Sequence, residues 1–577
     1  MMRARQACSG LRALVAAVLA VAAVVGMTLG MTLGLNAPLL AQTPGAGDFL
    51  RQMPPPAAQP PAGTRQEQPG AQPSTAPEMP PSSAFLVRKL VLTGDISVAR
   101  EPLQALVREA EGQTLTLGQL QRFADRITEW YRERGYPFAR AYIPAQTIDQ
   151  GQVEILVMEG RYGELRLDNR SGVQGDGVIA RTLRRLQSGD PIRQPDLDRT
   201  LLLLQDIPGV DARGSLRPGA QVGSSDLEVQ VDKAQAYWAS ATVDNSGSSS
   251  LGRKRLSGTL GMAGLLGTGD TLTLNMLGSG SSSLKYHRIA YESLVDGNGT
   301  RVGGAYSDLL YRLIGSFSSL EAHGTANVSS LWLRHPLLRS RDANLNLQLQ
   351  QEHVKLRDRI DLYEMYNDRH LRVSTLTLSG DLADGLLGGA QNTGSLSAVA
   401  GNLSFDNELE GAADANGLIK QGNFNKLGFY FNRLQTLDRV NRLSLTVQGQ
   451  HALRNLDSSQ KMALGGPTLL RAFDVSALSG DTVSATTLEW QRELSLPLAG
   501  QWQSIVFWEQ GRSRVNQRPV SNGANIATLE GAGIGMRWTG PDQWRSSLHL
   551  ASSIGPVSDM VGGSRALQAW LEISKGF

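Results

Sequence analysis

Arg471 is a single positive charge in an otherwise apolar loop, residues 464–481 (LGGPTLLRAFDVSALSGD). Gly465, Gly466 and Pro467 give the loop defined turn chemistry, and Leu469, Leu470 and Phe473 surround the charge with side chains that water does not hold in place. Long loops between strands are mostly functional or disordered. The chemistry open to Arg471 is a charge-assisted contact, bidentate where a carboxylate is presented; the plain alternative is an ordinary surface arginine. Covalent catalysis finds no support. The chain has no G-x-S-x-G elbow, no H-E-x-x-H and no phosphate-binding loop, and His287, His323, His335, His353, His370, His451 and His549 are scattered without ligand spacing. No catalytic residue, metal or cofactor is expected.

At 577 residues the chain could hold three or four ordinary domains, or one large barrel with small appendages. Charged residues make up 19%, and no internal run reaches the roughly 20 apolar residues of a membrane helix. At the N-terminus, Arg3, Arg5 and Arg12 lead into an apolar run followed by Ala37–Ala41, which reads as a secretory signal over residues 1–41. The only cysteine, Cys8, lies before that run, so the mature chain would have no disulfide. An exported protein of this kind suits a bacterial envelope setting, with stability coming from a hydrogen-bonded ladder. The net charge is only +3, so nucleic-acid binding gets no support.

Residues 42–84 read as one short helix, with Phe49, Leu50 and Met53 at helical spacing, and then a linker with ten prolines between 54 and 83. In extended form, at roughly 3.1 Å per residue, the linker could reach ~90 Å, more than a membrane's thickness. Residues 85–162 follow the order strand, helix, helix, strand, strand. The second helix opens with Thr116 three residues before Gln119, a capping-box spacing, and stops at Gly135. Residues 163–234 repeat that order. Two tandem units of this size read as adaptor modules for a larger body, with sheet edges able to accept an extended peptide.

From residue 235 to 577 helical periodicity vanishes, and sixteen alternating runs of about ten residues can be placed. They begin near Tyr237, Lys254, Asp270, Leu284, Thr300, Glu321, Asp342, Arg369, Gln391, Gly422, Asn441, Val483, Trp502, Ala524, Asp542 and Arg565. Even-numbered connectors are mostly short and odd ones include the long ones, notably 354–368 and 408–421. That alternation marks a transmembrane barrel with periplasmic turns and external loops. In such a barrel Glu509 shares a strand face with Phe507 and Gly511. Pointing it at lipid would cost about 2 kcal/mol or more, so it must face the lumen.

The signal, two modules and sixteen-stranded barrel together resemble the two-partner secretion outer-membrane transporters, the exporters of haemolysins and filamentous haemagglutinins. The resemblance rests on Arg134-Gly-Tyr-Pro137, Ile143-Pro-Ala-Gln146 and Glu159-Gly160 in the first module, and on Asp206-Ile-Pro-Gly-Val210 and Leu216-Arg-Pro-Gly219 in the second. These look like the family's polypeptide-transport-associated (POTRA) repeats. The chain also ends in Phe577 on an alternating strand, which resembles an outer-membrane assembly signal.

The resemblance implies a fold of two α+β POTRA modules and a 16-stranded antiparallel β-barrel whose sixth external loop folds inward. The family's V-R-G-Y/F loop motif corresponds to Leu470-Arg471-Ala472-Phe473, with Ala472 in place of glycine, inside the latch loop that Gly465 and Gly466 open. Its F-x-D-x-G acceptor on the thirteenth strand corresponds to Phe507, Glu509 and Gly511, with glutamate in place of aspartate. A contact from Arg471 to Glu509 is therefore expected. Implied partners are an unfolded secreted client of haemolysin or adhesin type, outer-membrane lipid, and the barrel assembly machinery during biogenesis. The modules would stand in the periplasm and bind the client. A related reading is an assembly factor that inserts other barrels, although such proteins usually carry more modules than two.

Overall fold

The computed structural model describes residues 43–53, 83–561 and 567–577. The expected secretory signal and nearly all of the Pro-rich linker lie outside the described residues.

In the first module, strand Lys89–Thr93 runs parallel to Gln152–Met158, which pairs antiparallel with Arg140–Tyr142. Helices Arg100–Val107 and Leu117–Glu133 cover the sheet. The long helix begins at Thr116 because the cap is reciprocal. Thr116 Oγ1 accepts from the Gln119 amide at 3.3 Å while Gln119 Oε1 accepts from the Thr116 amide at 2.8 Å. It buries Leu120, Ala124, Ile127 and Tyr131 with Val153, Ile155 and Val157 of the sheet. Gly135, at φ +84°, lets the chain leave the helix. The Tyr131 hydroxyl donates to buried Glu159 at 2.8 Å, and Glu159 also accepts from the Ser97 amide at 3.0 Å. Burial first, and this bond second, push the Tyr131 phenol well above its ordinary range.

The second module repeats the topology. Strand Arg161–Asn169 runs parallel to Ser224–Lys233, which pairs antiparallel with Val210–Pro218; helices Asp176–Leu183 and Gln194–Gln205 complete it.

Sixteen further strands form one closed antiparallel barrel, with the first, Tyr237–Asp244, paired to the last, Gln568–Gly576. Most begin within about four residues of the starts expected from alternation. The larger difference is length: strands six to eight, Ala322–Arg339, Ala343–Ile360 and Met365–Asp384, run 18, 18 and 20 residues. Residues 354–368 are therefore largely ladder, and the connector shrinks to a turn around Asp361–Tyr363. Alternation simply continues there. Val354 and Leu356 stay buried inward while the outward positions change from apolar Leu349 to charged Lys355 and Arg357. The expected loop 408–421 contains the helix Glu408–Ala415.

The second module identifies the periplasmic end. Asp206 receives two hydrogen bonds from the Arg339 guanidinium, at 2.8 and 2.9 Å, and its carbonyl accepts from Arg301 at 2.7 Å. Gln174 accepts from the Gly269 amide at 2.7 Å, and Arg341 meets Asp198 at 2.6 Å. All these barrel residues sit in or beside the short even-numbered connectors.

Candidate functional site inside the barrel

Among the described residues, two segments occupy the lumen. One is the connector between the eleventh strand, Asn441–Ala452, and the twelfth, Thr482–Leu494. Its ends pair as a small hairpin, Met462–Leu464 with Leu478–Gly480. Between them Gly465 and Gly466 take φ of +104° and +110°, and their amides bond to Leu469 O and Phe473 O at 3.0 and 3.1 Å. Leu470 also adopts φ +60°, strained for a residue with Cβ. Its buried side chain lies against Gly511 and Leu464, which holds it there. The left-handed position is Leu470, so alanine at Ala472 meets no backbone penalty.

Arg471 is 3% exposed and reaches the barrel wall. Its Nε donates to Glu509 Oε1 at 2.9 Å, and its own backbone amide donates to Glu509 Oε2 at 2.6 Å. A second acid, Glu489 on the twelfth strand, takes Nη2 at 2.7 Å. The guanidinium carbon lies 3.4 Å from the centre of the Phe507 ring. Glu509 and Phe507 lie on the thirteenth strand, Gln501–Arg514, with Ile505 and Gly511 on the same inward face; Val506 and Trp508 point out. Trp570 Nε1 donates to the Arg471 carbonyl at 2.7 Å, and Arg537 lies 3.4 Å from Glu489. Two arginines and two glutamates leave no net charge, so the cluster chiefly sets position: desolvation offsets most of the Coulombic gain of buried pairs.

Glycines make room for the loop. A Cβ at Gly511 would come within 2.3 Å of Leu470, one at Gly531 within 2.5 Å of Ala472, and one at Gly533 within 2.5 Å of the Phe507 ring. The sequence reading missed Glu489, Arg537, Trp570, Gly531 and Gly533. Alternation against lipid-facing neighbours was the available signal for Glu489, which stands between Leu488 and Trp490, and for Trp570, between Ala569 and Leu571.

The second lumen segment is the short helix Ala46–Leu50. Phe49, 1% exposed, packs 4.8 Å from Tyr311 in a cluster with Leu309, Ala326, Leu356 and Leu371. The Ala46 amide donates to Asp358 at 2.7 Å. Arg369 on the eighth strand joins Asp358 at 2.6 Å to Asp457 at 2.7 Å. Burial opposes charge on Asp457, yet the Arg369 guanidinium and the Ser459 bonds hold its carboxyl down to about 2. Helix and loop also touch: Arg51 donates to the Lys461 carbonyl at 3.0 Å.

Residues 85–160 match the model of the POTRA domain of the ShlB type, and 223–538 match that of the haemolysin secretion/activation proteins ShlB/FhaC/HecB. The chain belongs to that family. It is therefore a two-partner secretion transporter of the outer membrane, with its POTRA modules in the periplasm. The heme/hemopexin transporter HuxB of Haemophilus influenzae is 28% identical over 83% of this chain and 85% of its own length. The hemolysin transporter ShlB of Serratia marcescens is 25% identical over 70% and 72%. CdiB from Escherichia coli shares the fold at a TM-score of 0.69 and 20% identity, over 90% of this chain and 94% of that one. Within this transporter, the POTRA motif residues carry structural work: Glu159 ties Ser97 to Tyr131, Gln146 bonds both ways with Glu154 at 2.8 Å, and Asp206 docks the second module on the barrel.

Proposed function

We propose that the protein secretes a large unfolded partner of haemolysin or adhesin type. The POTRA modules capture an extended segment of the client in the periplasm. The client then threads through the barrel as the loop 464–481 and the helix Ala46–Leu50 move aside, and it folds outside. Arg471 is the latch, Glu509 with Phe507 and Gly511 its acceptor, and none of them is catalytic. With no nucleotide-binding loop in the sequence, client folding and capture outside supply the drive.

The observation that carries this reading is how the lumen is filled. The loop and helix meet the wall through side chains and single hydrogen bonds, whereas wall strands are joined by continuous ladders. They can leave without opening the barrel. The test is co-expression with a large exoprotein encoded as its partner. The client should reach the medium with the intact transporter and stay periplasmic when residues 163–233 are deleted. Equal export in both strains, or loss of other barrels from the outer membrane in place of the client, would overturn the reading.

A further inference from the structure

Above the apolar belt, the outer wall of the barrel turns cationic over strands four to eight. Lys285 on the fourth strand (Leu284–Leu294), Arg312 on the fifth (Arg301–Arg312), Lys355, Arg357 and Arg359 on the seventh, and Arg372 on the eighth point away from the lumen. Their chain neighbours Leu284, Tyr311, Val354, Leu356, Leu371 and Val373 are buried inward. In register, Arg372 stands opposite His353, Lys355 opposite His370, and Arg357 opposite Asp368. Asp368 is already held by Arg359 at 2.5 and 2.9 Å, Asp406 bonds His370 at 2.9 Å, and Asp308 bonds Asn327 at 2.6 Å. Six cations thus outnumber these three engaged acids, and crowding like charges on one face is unfavourable without an anion between them.

Height selects the anion. Residues 353–357 lie ten to fourteen positions from Ala343, the periplasmic end of their strand. At about 3.4 Å per residue and a tilt of about 40°, that is roughly 26–36 Å up, just above an apolar band about 25 Å tall. Below them the outward residues are apolar: Leu331, Leu349 and Leu376 are exposed to lipid. On strands ten to twelve, the outward residues at the same level are Asn423, Asn425, His451, Ser484 and Thr486, with no lysine or arginine. On the thirteenth strand Arg512 and Arg514 also face outward, so the charge is densest on strands four to eight and absent from strands ten to twelve.

We propose that this face binds the phosphorylated glycolipid of the outer leaflet, its phosphates on Lys355, Arg357 and Arg372 and its acyl chains along the leucines below. Guanidinium groups suit phosphate through paired hydrogen bonds, and basic clusters beside an apolar belt attract anionic headgroups.

The test is native mass spectrometry of the full chain in detergent, offered bisphosphoryl lipid A or the same lipid dephosphorylated. The wild type should retain the phosphorylated lipid about tenfold better, as expected when several charge-assisted contacts form. The variant Lys355→Gln, Arg357→Gln, Arg372→Gln, checked for intact heat-modifiable migration, should lose that preference, while inorganic pyrophosphate should not displace lipid from the wild type. Equal retention of the two lipids, an unchanged preference in the variant, or displacement by pyrophosphate would overturn the assignment. So would photo-crosslinking from position 357 that captures the exported protein in place of lipid.

Discussion

The two segments inside the barrel are fastened by opposite logic. The loop carries its own charge: Arg471 belongs to the loop, and the acids Glu489 and Glu509 belong to the wall. The helix carries little charge to its seat. Its wall contact is an amide on Asp358 and the apolar face of Phe49, and Asp358 keeps Arg369 and Tyr311 as partners whether or not the helix is present. Lifting the loop therefore orphans buried Glu509 and leaves Glu489 only Arg537 and Gln491, whereas lifting the helix orphans almost nothing. Breaking a buried pair costs about 3–5 kcal/mol, and exposing one buried phenylalanine about 1.5–3 kcal/mol. The helix should leave first and the loop second.

The largest effect should follow from Arg471→Ala. It removes the charge that two wall acids share, and loop docking should weaken by about 3–5 kcal/mol. Hydrogen exchange across residues 464–481 should then accelerate by orders of magnitude while the barrel keeps its heat-modifiable migration. Arg471→Lys should fall between, since an ammonium cannot serve Glu489 and Glu509 with a planar fork. Wild-type exchange in Arg471→Ala would mean that apolar packing alone holds the loop, and the contrast with the helix would collapse.

The loop's fastening was largely legible in the sequence, and the helix's was not. Strand alternation sends Glu509 inward on the cost of a charge in lipid, an argument that needs no partner. Arg471 stands out because everything around it is apolar. The same alternation rule, applied to Glu489 between Leu488 and Trp490, would have supplied the second acid. The seat of the helix escapes because its parts lie far apart: Ala46, Tyr311, Asp358, Arg369 and Asp457 belong to five segments, and only closure of the barrel brings them together. The strand count survives such gaps because each run is read locally. The extent of strands six to eight does not: apolar content marks where lipid ends, while hydrogen bonding continues past it into water.

A smaller effect, confined to the helix, is expected from Gly47→Leu. Even a Cβ at Gly47 would stand 2.6 Å from Ser458 Oγ and 2.7 Å from the Ser459 amide nitrogen, so the backbone must separate. Overpacking of this sort costs about 1–3 kcal/mol, comparable with what seats five residues. Single-channel recordings should show more frequent wide openings than wild type, with exchange in 464–481 unchanged. Unchanged conductance would show that the helix does not obstruct the pore.

The smallest effect bears on whether the two fastenings are independent. Arg51 ends the helix, meets Asp48 at 2.5 Å and donates to the carbonyl of Lys461, just before the loop's hairpin. Lys461 in turn is fixed by Val515 O at 2.6 Å, Asn516 at 2.7 Å and the Asp481 carboxylate at 3.5 Å, so its own anchors lie outside the helix. Arg51→Ala should therefore cost about 1 kcal/mol, the worth of a modest hydrogen bond, and be felt by the helix and the adjoining segment 458–461 but not by the loop 464–481. Combined with Gly47→Leu it should add little, because a helix already displaced has lost that bond. Exchange at 458–461 should rise slightly in Arg51→Ala and stay at wild-type rates in 464–481. A rise across the whole loop would instead make Arg51 the coupling between the two segments, so that departure of the helix loosens the Arg471 cluster and the two releases become one event.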